Sequence, residues 1–189
     1  MYSDKERDQK KEQLLCDCFD LFSKKGLENT SMNDLAKHCG TYKASFYNYF
    51  ESKDEIVLEC ATAYMKSLGK MLFNEEAFSQ KSLRTALEIG FKVLVSERQK
   101  LRCIYQIVSS PRYGGMSRDA LAEVYGTYLN YSSVLAEKYS VDKDKFRPYY
   151  LLYVATMHDY CLWENSGFVM EKLQYIFEQV DNLSRRDEQ

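Results

Sequence analysis

The sequence predicts an all-α protein of about nine helices. Only two prolines and eight glycines interrupt its 189 residues, which argues against an all-β chain with frequent turns. Apolar residues recur at steps of three and four, the spacing of one face of a helix. Hydrophobic residues make up 45% of the chain and charged residues 29%, so there is enough apolar mass for a globular core.

The first helix is predicted from about Lys5 to Lys25. Gly26 follows it directly, and a glycine at this place can adopt the left-handed conformation that ends a helix. The apolar residues of the segment form one stripe, which consists of Leu14, Leu15, Cys18, Phe19 and Phe22.

The second helix is predicted to begin at Thr30 or Ser31 and to end at Gly40. Ser31 and Asp34 form an S-x-x-D capping box, in which a hydroxyl and a carboxylate each satisfy a free backbone N–H. A third helix is predicted over residues 42–50 after a turn that contains the glycine.

The rest of the chain is predicted to be helical. Ser52 and the acids after it start a fourth helix that runs to about Phe73. Five more helices are expected near residues 81–98, 100–110, 117–139, 143–166 and 168–184. The predicted domains are residues 1–53 and residues 54–189.

Two short helices joined by a glycine-containing turn, with a longer first helix, are typical of a helix-turn-helix. On the third helix, Phe46 and Phe50 are expected to face the core. The opposite side is polar and carries no carboxylate, which suits a helix that enters the major groove between phosphates. This outer side consists of Tyr42, Ser45, Asn48 and Tyr49, with Lys43 and Tyr47 beside them.

Residues 26–36, 39–50 and 52–53 closely resemble the DNA-binding region of TetR-type transcriptional regulators. The typical pattern there is a G-[FY]-x-x-[TA]-[TS] entry, an I/L-A-x-x-A/L-G turn, a recognition helix that ends in T-[LF]-Y-x-[YH]-F, and a following S/N-K. Three positions depart from it, namely Thr41, Tyr42 and Ala44. These departures leave the docking framework intact but change which bases are read.

The resemblance implies roles for particular residues. Thr30 and Ser31 are expected to contact the DNA backbone, and Tyr42 to contact either the backbone or a base. Four residues are expected to face base edges, and these are Lys43, Ala44, Ser45 and Asn48. Three more are expected to hold phosphates, and these are Tyr47, Tyr49 and Lys53.

Residues 1–53 hold nine basic and nine acidic side chains, so we expect modest DNA affinity per monomer and a need for a dimer. Residues 149–163 are apolar almost all round, which predicts a helix buried both in its own bundle and against a second copy. The resemblance also implies that the last two helices pair across a two-fold axis. The expected interface residues are Tyr153, Tyr160, Trp163, Leu173, Phe177 and Val180.

The middle helices are rich in tyrosine, which suits a pocket for an organic effector of mixed polarity. Packing of these residues as ordinary core, without a ligand, is the alternative. The candidate pocket residues are Cys103, Tyr105, Tyr125, Tyr128, Met157 and Cys161.

Neither a metal site nor a catalytic site is expected. His38 and His158 have no partner at a metal-ligand spacing, and no catalytic motif or cofactor motif is present in the sequence. We therefore expect a cytoplasmic, homodimeric, ligand-responsive repressor that binds an operator in double-stranded DNA. The alternative is a small-molecule-binding or protein-interaction module with a vestigial DNA-binding head.

Overall fold

A computed structural model describes residues 4–72, 82–163 and 166–186. All regular secondary structure in these ranges is helical, which confirms the predicted fold class. The nine helices that they contain are α1 (Asp4–Lys25), α2 (Met32–His38), α3 (Lys43–Phe46), α4 (Lys53–Leu72), α5 (Leu83–Ser96), α6 (Arg98–Ser109), α7 (Gly114–Lys138), α8 (Lys143–Trp163) and α9 (Ser166–Arg186).

Most boundaries lie within three residues of the prediction, and α3 is the main difference. It was predicted over residues 42–50 but is α-helical only over Lys43–Phe46. The chain then tightens, because the N–H groups of Asn48 and Tyr49 donate to carbonyls three residues back. The fourth helix was predicted to end at Phe73 and the next to start at residue 81, and residues 73–81 lie outside the described residues. The eighth helix was predicted to end at residue 166, and residues 164–165 before that end also lie outside the described residues.

Helices α1 and α2 begin and end close to the capping residues and glycines from which their bounds were predicted. Gly26 has a φ of +88° directly after α1, and Gly40 has a φ of +63° in the turn after α2. Ser31 caps α2, and its hydroxyl accepts the N–H of Asp34 while the Asp34 carboxylate accepts the N–H of Ser31. These contacts position the start of α2 and the turn that leads to α3.

The first of two compact units consists of residues 1–68 and 99–124. In it, α2 packs against both α1 and α3. Asp54 at the start of α4 accepts hydrogen bonds from Arg112 at 3.0 Å and from the Tyr113 hydroxyl at 3.1 Å. The core side chains of this unit include Leu14, Cys18, Phe19, Phe22, Leu35, Phe46, Phe50, Ile56, Ile104, Ile107 and Leu121.

The second compact unit consists of residues 69–98 and 125–189. Here α9 packs along α8, and α5 packs against both of them. Two buried tyrosines of α8 tie helices together, since Tyr150 donates to the carbonyl of Tyr128 at 2.9 Å and Tyr153 donates to that of Leu87 at 2.8 Å. Burial raises the pKa of both phenols far above the ordinary value, so they act as neutral donors.

The predicted domain boundary at the start of α4 stays a prediction, since compact units of contact are not functional domains. None of the helices in the described ranges combines the length and the apolar character needed to cross a membrane.

Candidate DNA-binding surface

Residues 41–50, here called the recognition segment, have one buried side and one exposed side. Phe46 and Phe50 are fully buried, and their ring centroids lie 5.1 Å apart. They pack into the core of α1 and α2, so the segment is anchored from behind. The orientation of the outer side chains is therefore set by two aromatic rings that point the opposite way.

The exposed side of the recognition segment carries donors and no carboxylate. Tyr42 is 86% exposed and Tyr47 is 45% exposed, large values for aromatic side chains. The ammonium of Lys43 lies 5.9 Å from the centre of the Tyr47 ring. Lys43, Ala44, Ser45 and Asn48 are also exposed, whereas Tyr49 is half-buried. Of the expected base-reading residues, all four lie on this surface.

Ser31 and Lys53 lie at the starts of two helices. Ser31 is exposed at the N-terminus of α2, where free N–H groups and the helix dipole favour a phosphate. Lys53 is the first residue of α4 and is half-buried. Their contacts with the DNA backbone stay a prediction.

Thr30 does not belong to this surface, which corrects the expectation for it. Its side chain is only 1% exposed, and its hydroxyl donates to the Gly26 carbonyl at 2.7 Å. Its backbone N–H donates to the Leu27 carbonyl. Thr30 therefore stabilises the turn after α1, and its neighbour Ser31 is the residue that faces solvent.

An acid at the start of α2 is neutralised by its neighbours. The hydroxyl of Ser31 and the ammonium of Lys25, which lies 2.9 Å from Asp34, hold the pKa of the Asp34 carboxyl well below its usual range. The negative charge of Asp34 thus stays within the capping box and the ion pair, which lessens its repulsion of a phosphate near Ser31.

The sequence pattern did not reveal Arg7. Its guanidinium donates to the backbone carbonyl of Asn48 at 3.2 Å, at the end of the recognition segment. With Lys11, Asp8 and Tyr49 it lines a cleft of about 280 Å³. Because 41 residues separate the two partners, no local spacing could indicate this contact.

The predicted pocket residues are distributed over the two compact units. Cys103 and Tyr105 belong to the first unit, and Tyr128, Met157 and Cys161 belong to the second. The side chain of Tyr125 lies outside the described residues. A shared pocket for the six therefore stays a prediction.

The second unit contains a cleft of about 570 Å³ between α5 and α9, and none of the five predicted pocket residues whose side chains are described lines it. Its walls combine apolar and charged side chains, among them Arg84, Phe91, Lys92, Met170 and Phe177.

Four of the six predicted interface residues are buried in the core of their own chain, which corrects that assignment. Tyr153, Leu173, Phe177 and Val180 are all within the α5, α8 and α9 cluster and have little surface to offer a second copy. Trp163 is 75% exposed and Tyr160 is half-buried. The large exposed apolar residues of α8 and α9 are Leu151, Trp163, Phe168, Met170 and Tyr175.

Within the described ranges, no group of three or more histidine, cysteine, aspartate or glutamate side chains is arranged to hold a metal ion. The site that the geometry does build is the helical head, with an anchored third helix that faces solvent. This arrangement defines a helix-turn-helix DNA-binding protein.

Comparison with known proteins finds similarity to the TetR family in the head and in the fold. The family model described as "Bacterial regulatory proteins, tetR family" matches residues 19–60, which contain α2, the turn and the recognition segment. A solved TetR-family transcriptional regulator from Streptomyces coelicolor has the same fold, with a TM-score of 0.65 and 15% identity over 95% of this chain and 88% of that chain. Over residues 19–60 the chain thus matches the helix-turn-helix DNA-binding region of TetR-type transcriptional regulators, and the whole chain shares their fold.

Two relatives match by sequence. The HTH-type transcriptional regulator YerO of Bacillus subtilis (strain 168) is 33% identical over 81 residues, which are 42% of this chain and only 28% of that relative. The biofilm operon icaADBC HTH-type negative transcriptional regulator IcaR of Staphylococcus aureus (strain Newman) is 27% identical over 139 residues, or 71% of this chain and 72% of IcaR.

Proposed function

We propose that this chain is a homodimeric repressor that acts in the cytoplasm, binds a pseudo-palindromic operator and responds to a small organic effector. The observation that carries the proposal is the exposed, acid-free side of the recognition segment, backed by the buried Phe46 and Phe50. A surface of this kind attracts phosphates and presents donors to base edges without a repelling charge.

Repression is supported by the relative IcaR, which is named as a negative regulator. Binding of a dimer to two half-sites places two recognition helices about 34–36 Å apart when the half-sites are one turn apart. The operator then mirrors the two-fold symmetry of the dimer.

A dimer surface is supported by the exposed apolar side chains of α8 and α9. Trp163 is the most exposed of them, and a tryptophan in contact with water is unusual for a surface without a partner. We expect Trp163→Arg to convert the dimer to monomer, as seen by light scattering after gel filtration. Met116, an exposed apolar residue on α7, gives the matched control Met116→Arg, which should remain dimeric.

An effector is supported by the cleft between α5 and α9, which combines apolar walls with Arg84 and Lys92. The cleft is also lined by Glu88 and Glu178, and Arg84 is paired with Glu88 and Asp181, so the lining suits an organic molecule of mixed polarity. To release DNA, the effector must bind the low-affinity conformation of the dimer more tightly than the DNA-bound conformation.

The decisive experiment is fluorescence anisotropy with a duplex from the region upstream of the gene that encodes this chain, against a scrambled duplex. We expect tight binding of the first duplex only, and a logarithm of affinity that falls linearly with the logarithm of salt concentration. Absence of binding to either duplex at low salt would instead favour a ligand-binding or protein-interaction module with a vestigial head.

Two variants distinguish a phosphate contact from a base contact in the recognition segment. Tyr47→Phe removes a hydroxyl assigned to phosphate and should weaken every sequence by about 1 kcal/mol, or roughly fivefold. Asn48→Ala should relax discrimination at one base position by about 1–3 kcal/mol. Tyr139→Phe, at a half-buried tyrosine after α7 that lies outside the recognition segment and the exposed faces of α8 and α9, is the control and should change neither property. Equal losses on all sequences for Asn48→Ala would refute its assignment to a base.

A further inference from the structure

Three cysteines from three different helices meet in the head, at the turn of the helix-turn-helix. Cys18 lies on α1, Cys39 caps the end of α2, and Cys60 lies on α4. The Sγ atoms of Cys18 and Cys39 are 3.7 Å apart, and the Cys18 thiol also contacts that of Cys60. The sequence separations of these residues gave no indication of the cluster.

The three thiols differ in access and in bonding. Cys18 and Cys60 are buried, whereas Cys39 is only half-buried. Cys60 donates to the Leu15 carbonyl at 3.1 Å, which holds it along α1. Cys39 has only a long contact of 4.0 Å to the Leu14 carbonyl besides its contact with Cys18. A small molecule from solvent thus reaches Cys39 first, and Cys18 is the thiol behind it.

We propose that Cys18 and Cys39 form an oxidation site that a small hydroperoxide converts into an intramolecular disulfide, and that this disulfide lowers the affinity for DNA. The sulfur atoms need to approach by about 1.7 Å to reach a disulfide length of roughly 2.0 Å. The effect on DNA rests on the function proposed above, whereas the formation of the disulfide does not.

The chemistry takes two steps. The Cys39 sulfur attacks the peroxide O–O bond, which yields a sulfenic acid on Cys39 and, for hydrogen peroxide, one water. The Cys18 sulfur then attacks the sulfenic sulfur, the S–S bond forms, and the hydroxyl group leaves with the proton of Cys18 as a second water. Two thiols together lose two electrons and two protons, and the peroxide is reduced by the same two electrons.

The contact with Cys18 and burial raise the pKa of Cys39. For Cys18 the contact with Cys39 lowers the pKa, but the contact with Cys60 and burial raise it by more, so both thiolates are scarce at neutral pH. The pair consequently stays reduced in a reducing compartment and reacts only under strong oxidant exposure. This behaviour suits a stress response better than a response to background peroxide.

The position of Cys39 explains how the disulfide acts on DNA binding. Its N–H closes the end of α2 by donating to the Leu35 carbonyl, and Gly40 makes the turn directly after it. The N–H of Thr41 then returns to the Ala36 carbonyl and sets the start of the recognition segment. A sulfur that moves toward α1 pulls on this turn and changes the angle between α2 and α3.

The test uses the full-length reduced protein, hydrogen peroxide, peptide mapping without reductant, and anisotropy with the upstream duplex. We expect a peptide that joins Cys18 to Cys39, a loss of DNA affinity of about tenfold, and recovery with dithiothreitol. Cys39→Ser should keep its affinity after peroxide. Cys16→Ser is the matched control, because Cys16 is exposed and two residues from Cys18, and it should respond like the wild type.

Several results would overturn the proposal. These are a disulfide that maps elsewhere, oxidation of Cys39 without a link to Cys18, or a Cys18–Cys39 link that leaves DNA affinity unchanged. If Cys39→Ser has an altered circular dichroism spectrum, Cys39→Ala replaces it. If the reduced protein binds no duplex, the proposed function fails, while peptide mapping still decides whether the oxidation site exists.

Discussion

The tyrosines of the recognition segment and those of α8 differ in burial and in hydrogen bonding. Tyr42 and Tyr47 are exposed to solvent. Tyr150 and Tyr153 are buried, and each donates to a backbone carbonyl of another helix. The same residue type thus faces solvent in one region and packs internally in the other.

The hydrogen bonds of the buried tyrosines limit what these residues can contribute to an effector site. A tyrosine whose hydroxyl already bonds a backbone carbonyl has less capacity to recognise a ligand. Tyr150 and Tyr153 are therefore core residues, and the polar groups along the α5–α9 cleft are the better candidates for recognition.

The largest expected effect tests this comparison directly. Tyr153→Ala should lower the free energy of unfolding by about 3–5 kcal/mol, because it removes a buried ring and the hydroxyl that donates to the Leu87 carbonyl. Tyr42→Ala should change it by less than about 0.5 kcal/mol, since the ring is exposed. Urea denaturation measures both. Similar losses for the two variants would show that burial does not separate the two groups.

Local signals in the sequence predicted the elements of the head well. The capping box of Ser31 and Asp34, the left-handed Gly26, and the inward Phe46 and Phe50 all depend on residues within four positions of each other. Interactions of this range are decided by backbone geometry, so the pattern alone predicts them.

Partners that are distant in sequence were harder to predict. Helical periodicity indicates that Leu173 and Val180 lie on an apolar face, but it does not say whether that face covers the same chain or a second copy. The structure places both in the core of their own chain. The contact of Arg7 with Asn48 and the thiol contact of Cys18 with Cys39 could not be predicted, because the partners are distant in sequence.

The second prediction tests whether Thr30 stabilises the turn after α1 or contacts DNA. Thr30→Val keeps the shape but removes the hydroxyl that bonds the Gly26 carbonyl, and we expect a loss of stability of about 1–3 kcal/mol. Affinity for the upstream duplex should be unchanged at temperatures where the variant is fully folded. A loss of affinity with unchanged stability would restore Thr30 to the DNA-binding surface.

Gly40 in the head and Ser140 in the second compact unit both have a left-handed backbone, so their substitution compares backbone strain in the two units. Gly40 in the head has a φ of +63° and open space at its Cβ position, so Gly40→Ala should cost about 1–2 kcal/mol through the backbone alone. Ser140 follows α7 with a φ of +53° and already bears that strain, so Ser140→Gly should stabilise the protein by a similar or smaller amount. Thermal melts of the two variants should therefore shift in opposite directions.

The smallest expected effect concerns two carboxylates at helix starts. Hydrogen bonds from Ser31 and the Lys25 ammonium lower the pKa of Asp34 in the head, and the backbone N–H groups of Lys145 and Asp144 lower that of Asp142 before α8. A pKa lower in the folded state than in the unfolded state adds stability above the unfolded value, and this contribution disappears as the pH falls through the folded value.

Asp34→Asn should therefore be less stable than the wild type near pH 7, and the difference should shrink as the pH falls below the ordinary aspartate pKa of 3.8. Asp142→Asn should show the same trend with a smaller change, because backbone donors are the larger part of its stabilisation and an amide oxygen can still accept from them. Urea denaturation at a series of pH values measures both differences. A stability difference for Asp34→Asn that stays constant down to acid pH would mean that the ion pair with Lys25 contributes nothing to the head.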